Sequence, residues 1–586
     1  MTAKNIAIYI NDKPYQVQPG QTIMQAADLL GFHIPRLCYH PKLSLEGACR
    51  VCIVEVEGMR NYVASCAFPV TEGMKIHTNT EEIRRARRDI VELILDNHPQ
   101  DCHICERDSN CELQRLAHTM GMKKHHFSGD RKRYEKDVSS VSVVRDPEKC
   151  ILCGRCVRMC SEIQKVHNLG YAHRGFKTVV IPAYDMPFKD SVCTACGQCI
   201  NVCPTAAFVE KNYTQELFQV LGDSSKIKVA HFAPSVRAAI GEAFGMEPKN
   251  LEKELVAALR KLGFDYVFDT QFGADLTIME EAHELLARIS GKGKLPMITS
   301  CSSAWMKSLE QFHPDLIENV SSCKSPMSMM SAIVKTYFAD KLQRNPADIV
   351  SVGIMCCTAK KYEASRPEIV PSTDIVVTTR EIAWMIKSAG ISFPNIPGES
   401  FDQIMGLSSG AGAIFGATGG VMEAALRTAY EMYTGETLEN IEFTEIRGLK
   451  GIKEAQVVMN GKEIRDAVVH GLGNTAELLD RVRKDNKYHF IEVMGCPGGC
   501  VGGGGQPYAG LNAIPLDEDA LRKRAEVLYS IDRVKTIRRS HENPHVQRLY
   551  KEFLGKPNSE KAHHLLHTHY HAKEPRGIIP DHPIVK

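Results

Sequence analysis

No stretch of this 586-residue chain approaches the ~18 to 20 consecutive apolar residues that a membrane-spanning helix needs. An excess of either charge is also missing. The net charge is +2, which gives no reason to expect nucleic acid or an anionic membrane as a partner. The opening residues carry no secretion signal and alternate through Ile6, Ile8 and Ile10 as a strand does. A reducing cytoplasm is therefore the expected compartment. A nucleotide fingerprint is absent as well. Gly410-Ala411-Gly412, Gly416, Gly419 and Gly420 lack the strand-to-helix context of a GxGxxG turn.

What is abundant is cysteine, at 21 residues. Tight CxxC spacings without a secretion signal favour metal over disulfides. Soft thiolates select zinc or iron–sulfur clusters, and the spacings decide between them.

The chain is too long for one core. Residues 1–79 read as a small β-rich unit with one helix. Asn11-Asp12 turns the chain between two strands. Thr22 and Gln25 form a capping box for a helix ending near Leu30, with Gly31 as its cap. Cys38, Cys49, Cys52 and Cys66 follow as C-x10-C-x2-C-x13-C. This spacing is close to the plant-ferredoxin pattern without matching it, and zinc is the alternative. Residues 80–120 begin with a charged helix, Glu81 to Leu95. His98, Cys102, Cys105 and Cys111 come next as H-x3-C-x2-C-x5-C, a set that suits zinc or a His-ligated [4Fe–4S] cluster. His118, His125 and His126 carry no such spacing and are expected on the surface.

Residues 140–212 hold an internal repeat. One copy is Cys150-x2-Cys153-x2-Cys156-x3-Cys160, the other Cys193-x2-Cys196-x2-Cys199-x3-Cys203-Pro204. In the bacterial two-cluster run the fourth cysteine ligates the other cluster. The expected sets are Cys150, Cys153, Cys156 and Cys203 for one cube, and Cys193, Cys196, Cys199 and Cys160 for the other. Across 225–525, strand-like runs alternate with amphipathic helices such as Glu252 to Leu262, which argues α/β. Residues 526–586 form a polar tail with His563, His564, His567, His569 and His571, read as a helical segment wrapping the surface.

Three cysteine loops lie in the α/β region. They are Thr299-Ser300-Cys301-Ser302-Ser303-Ala304-Trp305, Met355-Cys356-Cys357-Thr358-Ala359-Lys360-Lys361, and Glu492-Val493-Met494-Gly495-Cys496-Pro497-Gly498-Gly499-Cys500 with four further glycines. Together they resemble the signature loops of [FeFe]-hydrogenases. The order of modules resembles the catalytic subunits of multimeric NAD(P)-linked members. The expected fold is multidomain, α+β with α/β: an N-terminal β-grasp [2Fe–2S] domain, a [4Fe–4S] module held by one histidine and three cysteines, a two-cluster ferredoxin domain, an α/β hydrogenase domain and a helical small-subunit-like tail.

The resemblance implies an H-cluster, a [4Fe–4S] cube bridged to a two-iron unit carrying CO, cyanide and an azadithiolate. It also implies one [2Fe–2S] and three accessory [4Fe–4S] clusters. Cys357, Cys496 and Cys500 match cube ligands, with Cys500 the bridge. Cys301 matches a proton-relay cysteine, and Glu281, Ser321, Glu284 and Arg288 match the rest of that relay. Lys360, Pro234 and Ser235 match residues that meet the cyanides, and Met355 and Met494 match thioethers on the two-iron unit. Ser302 stands where the family usually has a cysteine ligand. Three outcomes are open: ligation by Ser302 oxygen, ligation by Cys301, or an incomplete cube. Cys323 and Cys356 are further candidates. Ser303, Cys356 and Met327 also depart from the usual proline, proline and glutamine.

The implied reaction is interconversion of hydrogen with protons and electrons. Electrons would pass through the two ferredoxin-type clusters and then the His-ligated and [2Fe–2S] sites. Implied partners are a flavin- and NAD(P)-binding iron–sulfur subunit, a small [2Fe–2S] subunit and ferredoxin, in a hetero-oligomer, with electron bifurcation as a further implication. A different reading keeps the fold and clusters with slow or no turnover, as a hydrogen sensor or electron-wiring subunit. No PAS-like output segment follows the α/β region, which weighs against the sensor.

Overall fold

The computed structural model describes residues 4–122, 127, 129–510 and 513–573. His125, His126 and the end of the tail lie outside the described residues. The N-terminal unit is a five-stranded mixed sheet. Its order is Lys13–Val17, Ile6–Ile10, Lys75–His77, Ile53–Val56, Val63–Ala64, with the helix Ile23–Leu29 packed on it. Asn11 and Asp12 both adopt positive φ, as a two-residue hairpin turn requires. Thr22 accepts from the Gln25 N–H while the Gln25 side chain accepts from the Thr22 N–H, closing the capping box. The helix Glu81–Asp96 follows, then a short turn at Cys102–Ile104 and the helix Glu112–Thr119. The repeat unit closes on a two-stranded ribbon, Val143–Arg145 with Phe208–Glu210.

The α/β region holds two four-stranded sheets. One is all parallel, in the order Tyr266–Asp269, Ile227–Phe232, Ile349–Met355, Ile375–Thr378. The other runs Met297–Ile298, Phe490–Met494, Lys462–His470, Ile452–Met459, with only its last pair antiparallel. The helix Thr270–Ile289 lies between them. Phe272 and Leu276 join the core of the first sheet, whereas Ala274, Ile278 and Leu285 join the core of the second. A helix apolar on two faces is a buried helix, and this one carries the acidic residues of the expected relay.

Two expectations about the tail are corrected. A boundary at 525/526 falls inside one continuous helix, Glu518–Val534, whose N-cap is Asp517. That helix packs on the α/β region through buried Leu521, Leu528 and Ile531. The His-rich stretch does not simply wrap the surface either. The helix Glu560–Leu566 ends, and His567 turns inward to pair as a β-bridge with Cys323. His567 is buried. No helix among the described residues is long and apolar enough to cross a membrane.

Candidate active site and its iron–sulfur approaches

Four loops leave the carboxyl ends of parallel strands and converge, the usual location of a site in an open α/β sheet. Ala233-Pro234-Ser235 follows Ile227–Phe232, and Cys301-Ser302 follows Met297–Ile298. Cys356-Cys357 follows Ile349–Met355, and Gly495 to Cys500 follows Phe490–Met494. They border about 790 Å³ of space, part of it open to solvent. Pro234, Ser235, Cys301, Ser302, Met355, Cys356, Cys357, Lys360, Met494, Cys496 and Cys500 all line it. Gly498 and Gly499 have φ of 76° and 91°, so this loop needs glycine there. A Cβ at Gly503 would sit 2.2 Å from the Cys356 carbonyl oxygen, so the second and third loops touch backbone to backbone.

Ser302 Oγ accepts a hydrogen bond from the Gly495 N–H at 3.0 Å, which holds it against the third loop. Cys323 does not line the cavity, and Cys356 does. Cys356 is buried in the same cluster that Cys500 packs against. Lys360 Nζ donates to the Cys301 carbonyl at 3.0 Å and pairs with Glu363 at 2.7 Å. Burial opposes its charge, but Glu363 outweighs burial and holds the ammonium above its ordinary range. Ser235 Oγ is fully buried and has no hydrogen-bond partner among the described residues. Several soft sulfur donors face one ammonium and one free hydroxyl across a single cavity. That donor set fits an iron–sulfur group carrying anionic ligands.

From Cys301 the acidic residues lead outward along the helix Thr270–Ile289. Glu281 is fully buried, and neither of its carboxyl oxygens has a hydrogen-bond partner among the described residues. Burial pushes it up to about 8, and the neighbouring Glu284 charge adds to the shift. Burial, then the Glu281 charge, pushes the Cys301 thiol up as well. Ser321 Oγ donates to Glu284 Oε2 at 2.8 Å, and Arg288 Nη2 donates to Glu284 Oε1 at 2.6 Å. Arg288 also binds the carbonyls of Asn319 and Val320. This is a buried, anchored set rather than an exposed ion pair on a helix.

The repeat cysteines line two separate cavities. Cys150, Cys153, Cys156 and Cys203 line one, and Cys160, Cys193, Cys196 and Cys199 line the other. A tetrahedral zinc site needs sulfurs about 3.8 Å apart. Among the described residues no three of these eight ligands close to within 4.8 Å of one another. The four N-terminal thiols are different. Cys38 neighbours Cys49, and Cys52 neighbours Cys66, so the four thiols fall into two pairs. His98 is buried with Nδ1 unpartnered among the described residues.

The catalytic loops touch the second ferredoxin-type site. Thr358 Oγ1 donates to the Ala195 carbonyl at 2.7 Å, and Gln198 donates to the Gly502 carbonyl at 2.9 Å. A Cβ at Gly504 would meet the Cys196 carbonyl oxygen at 2.3 Å. Both outer modules touch the first site. Arg158 bridges the carbonyls of Cys38 and Cys153, while Cys111 and Glu112 bond the Pro204 carbonyl. The two outer modules also pack on each other, with Leu37, Val51 and Cys49 in one apolar cluster with Leu113, Leu116 and Cys111.

Residues 226–504 match the family description "Iron only hydrogenase large subunit, C-terminal domain", and 518–573 match "Iron hydrogenase small subunit". The NADP-reducing hydrogenase subunit HndD of Solidesulfovibrio fructosivorans is 47% identical, over 97% of this chain and 99% of its own length. The chain belongs to the iron-only, or [FeFe], hydrogenase family. Iron hydrogenase 1 of Clostridium pasteurianum is 39% identical over 96% of this chain and 99% of its own. An apo [FeFe]-hydrogenase HydA1 variant from Chlamydomonas reinhardtii superposes with a TM-score of 0.56 at 42% identity, covering 62% of this chain and all of that one. Ahead of the hydrogenase domain, residues 3–81 match a "2Fe-2S iron-sulfur cluster binding domain". Residues 87–126 match the "NADH-ubiquinone oxidoreductase-G iron-sulfur binding region", and 149–207 a "4Fe-4S dicluster domain".

Several supporting residues carried no signal of their own in the sequence. Glu363 collects Ser303, Ser325, Ser328 and Lys360 beside the cavity. A serine in place of proline at 303, the first residue of the helix Ser303–Phe312, keeps that helix and adds a hydroxyl for Glu363. Gln506 donates to the Ser235 carbonyl at 3.1 Å, and Glu492 takes the N–H groups of Gly419 and Met422. His567 lies beyond the catalytic domain in the chain, so no local pattern could place it beside Cys323.

Proposed function

We propose that this chain interconverts hydrogen with protons and electrons and hands the electrons to partner subunits. The observation that carries the reading is the single cavity where Cys301, Lys360, Met355, Met494 and the Cys357–Cys496–Cys500 set meet. When bound there, an H-cluster supplies the hydrogen-splitting chemistry. Cys357, Cys496 and Cys500 would hold the cube, with Cys500 as the bridge and Ser302 at the fourth corner. Lys360, Ser235 and the Pro234 turn would face the anionic ligands, while the thioethers exclude water. Cys301 exchanges the proton, and Glu281, Ser321, Glu284 and Arg288 carry it outward. The gap between the unpaired Glu281 and the Ser321–Glu284 pair is short enough for their charges to interact.

Electrons reach the Cys160/Cys193/Cys196/Cys199 site first, because its loops touch the second and third catalytic loops. From the Cys150/Cys153/Cys156/Cys203 site they divide between the His98 module and the Cys38 module. Two outlets suit two acceptors: a flavin- and NAD(P)-binding iron–sulfur subunit with its small [2Fe–2S] companion, and ferredoxin. The relative named NADP-reducing supports the nicotinamide-linked arm, and bifurcation between the arms is the finer form of this reading. Because HndD and iron hydrogenase 1 match nearly end to end, turnover is preferred over a purely sensory or wiring role. Anaerobically matured protein should show CO and cyanide infrared bands, and Cys301→Ala should abolish turnover while keeping them. Absence of the bands, with iron matching only the accessory sites, would sink the proposal.

A further inference from the structure

The strand Ile227–Phe232, which delivers the Pro234 turn, also carries His231, a fully buried histidine with no place in the route from Cys301. Its Nδ1 lies 3.0 Å from Thr270 Oγ1 and its Nε2 lies 3.2 Å from Ser331 Oγ. Thr270 lines the catalytic cavity. Ser331 Oγ in turn lies 2.7 Å from Thr373 Oγ1 and 2.9 Å from Ser351 Oγ. Thr373 stands between half-buried Ser372 and exposed Asp374. Asp374 accepts from the Ser351 N–H at 2.7 Å and pairs with Lys335. A line of exchangeable groups therefore runs along the parallel sheet, from the cavity wall to one residue short of the surface.

Which nitrogen of a histidine carries the proton is commonly fixed by a backbone carbonyl or a carboxylate. Here both ring nitrogens face hydroxyls, and a hydroxyl donates or accepts by turning its O–H bond. Both tautomers therefore find partners. Either Nε2–H donates to Ser331 while Nδ1 accepts from Thr270, or the reverse. Burial pushes the imidazole down to about 3. The ring stays neutral, as passage through both nitrogens requires. Gly353, the register partner of His231 on the next strand, leaves room for the line. A Cβ there would meet the Met327 sulfur and Thr373 Cγ2, each at 3.3 Å.

We propose that Thr270, His231, Ser331 and Thr373 form a second proton wire, between the catalytic cavity and the surface at Asp374, which shares no residue with Glu281, Ser321, Glu284 and Arg288. In the outward sense Thr270 gives its proton to Nδ1, Nε2 gives its proton to Ser331, and Ser331 and Thr373 pass one on to water. Thr270 takes its replacement from the cavity. One proton enters, one leaves and no electron moves. The ring must regain its first tautomer before the next passage, so this wire is slower than the carboxylate route. Cys301 and Thr270 line the same cavity, and Cys301 remains the group that exchanges the proton with the cofactor. The service to hydrogen turnover rests on the function proposed above; the wire itself does not.

Neutron diffraction from crystals of the cluster-loaded chain soaked in D2O reads the wire without turnover. The His231 ring N–H should carry deuterium while the backbone N–H groups of Ile227–Phe232 still hold hydrogen, because a wire exchanges without opening the sheet. A ring hydrogen that exchanges no sooner than those amides overturns the wire. In turnover, His231→Gln added to Glu281→Gln keeps polar partners for the hydroxyls and removes the imidazole. It should lower the residual turnover at least about tenfold further, with iron content and the CO and cyanide bands unchanged. Thr270→Val, which cuts the line at the cavity wall, should act alike. Equal residual turnover with and without these changes, or none left in Glu281→Gln, overturns the service to catalysis. If wild type itself lacks the bands and turnover, the function proposed above fails and the exchange result still decides the wire.

Discussion

Replacing Glu281 by glutamine probes the centre of the proposed proton route. The carboxyl is wholly buried without a hydrogen-bond partner among the described residues, and its pKa rises from 4.5 to about 8. At pH 7 roughly nine in ten molecules therefore keep the proton. The shift disfavours the ionised form by up to about 5 kcal/mol. Its sign is fixed. Below the unfolded value both states hold the proton and nothing is lost. As pH rises from there to about 8 the unfolded chain ionises first, so the folded state loses stability, and above about 8 the loss is complete. Glu281→Gln keeps the shape and removes this loss. The variant should therefore gain on wild type in thermal resistance between pH 6 and pH 9. It cannot pass a proton, so turnover should fall by about 10²- to 10⁴-fold, the usual span of a positioned acid–base group. Hydrogen evolution by wild type should decline above about pH 8, and hydrogen oxidation should rise toward it. Difference infrared spectra of wild type minus variant should contain a protonated-carboxyl band at pH 6 that fades with a midpoint near 8. If that band is missing at pH 6, or if the variant turns over normally, Glu281 does not hold a transferable proton and the argument fails.

Three further expectations follow from particular contacts. Arg427 pairs with Glu423 and Asp532 in full burial. Arg427→Met leaves Glu423 to Arg447 alone and Asp532 to Arg538 alone and should cost about 2 to 3 kcal/mol, detectable as faster proteolysis at the helix Glu518–Val534. Gly504→Ala should push the third loop away from the Cys196 carbonyl. Iron in the accessory sites should then be unchanged while electron delivery from the catalytic site to them slows in single-turnover reduction; an unchanged rate would count against the proposed contact route. Ser302→Cys should make the catalytic cube harder to strip with a chelator, since thiolate is the softer ligand. Equal loss from both proteins would show that residue 302 is not at a ligand corner.

The sequence by itself determined the modules, because cysteine spacing is a local property that follows from cluster geometry. CxxC runs, the capping box at Thr22 and Gln25, and the hairpin at Asn11-Asp12 act over a few residues and survive translation into structure. So did the family, through three short loops. Tertiary structure decided what brings distant segments together. Both outer modules meet the first ferredoxin-type site because Arg158 and Pro204 reach segments far apart in the chain. Burial of Glu281, which sets its proton affinity, comes from a helix caught between two sheets. The spacing of Glu281, Glu284 and Arg288 alone describes an exposed pair equally well. The His567–Cys323 bridge joins residues 244 positions apart. Such contacts are set by the packing of whole elements, and no periodicity or spacing encodes them.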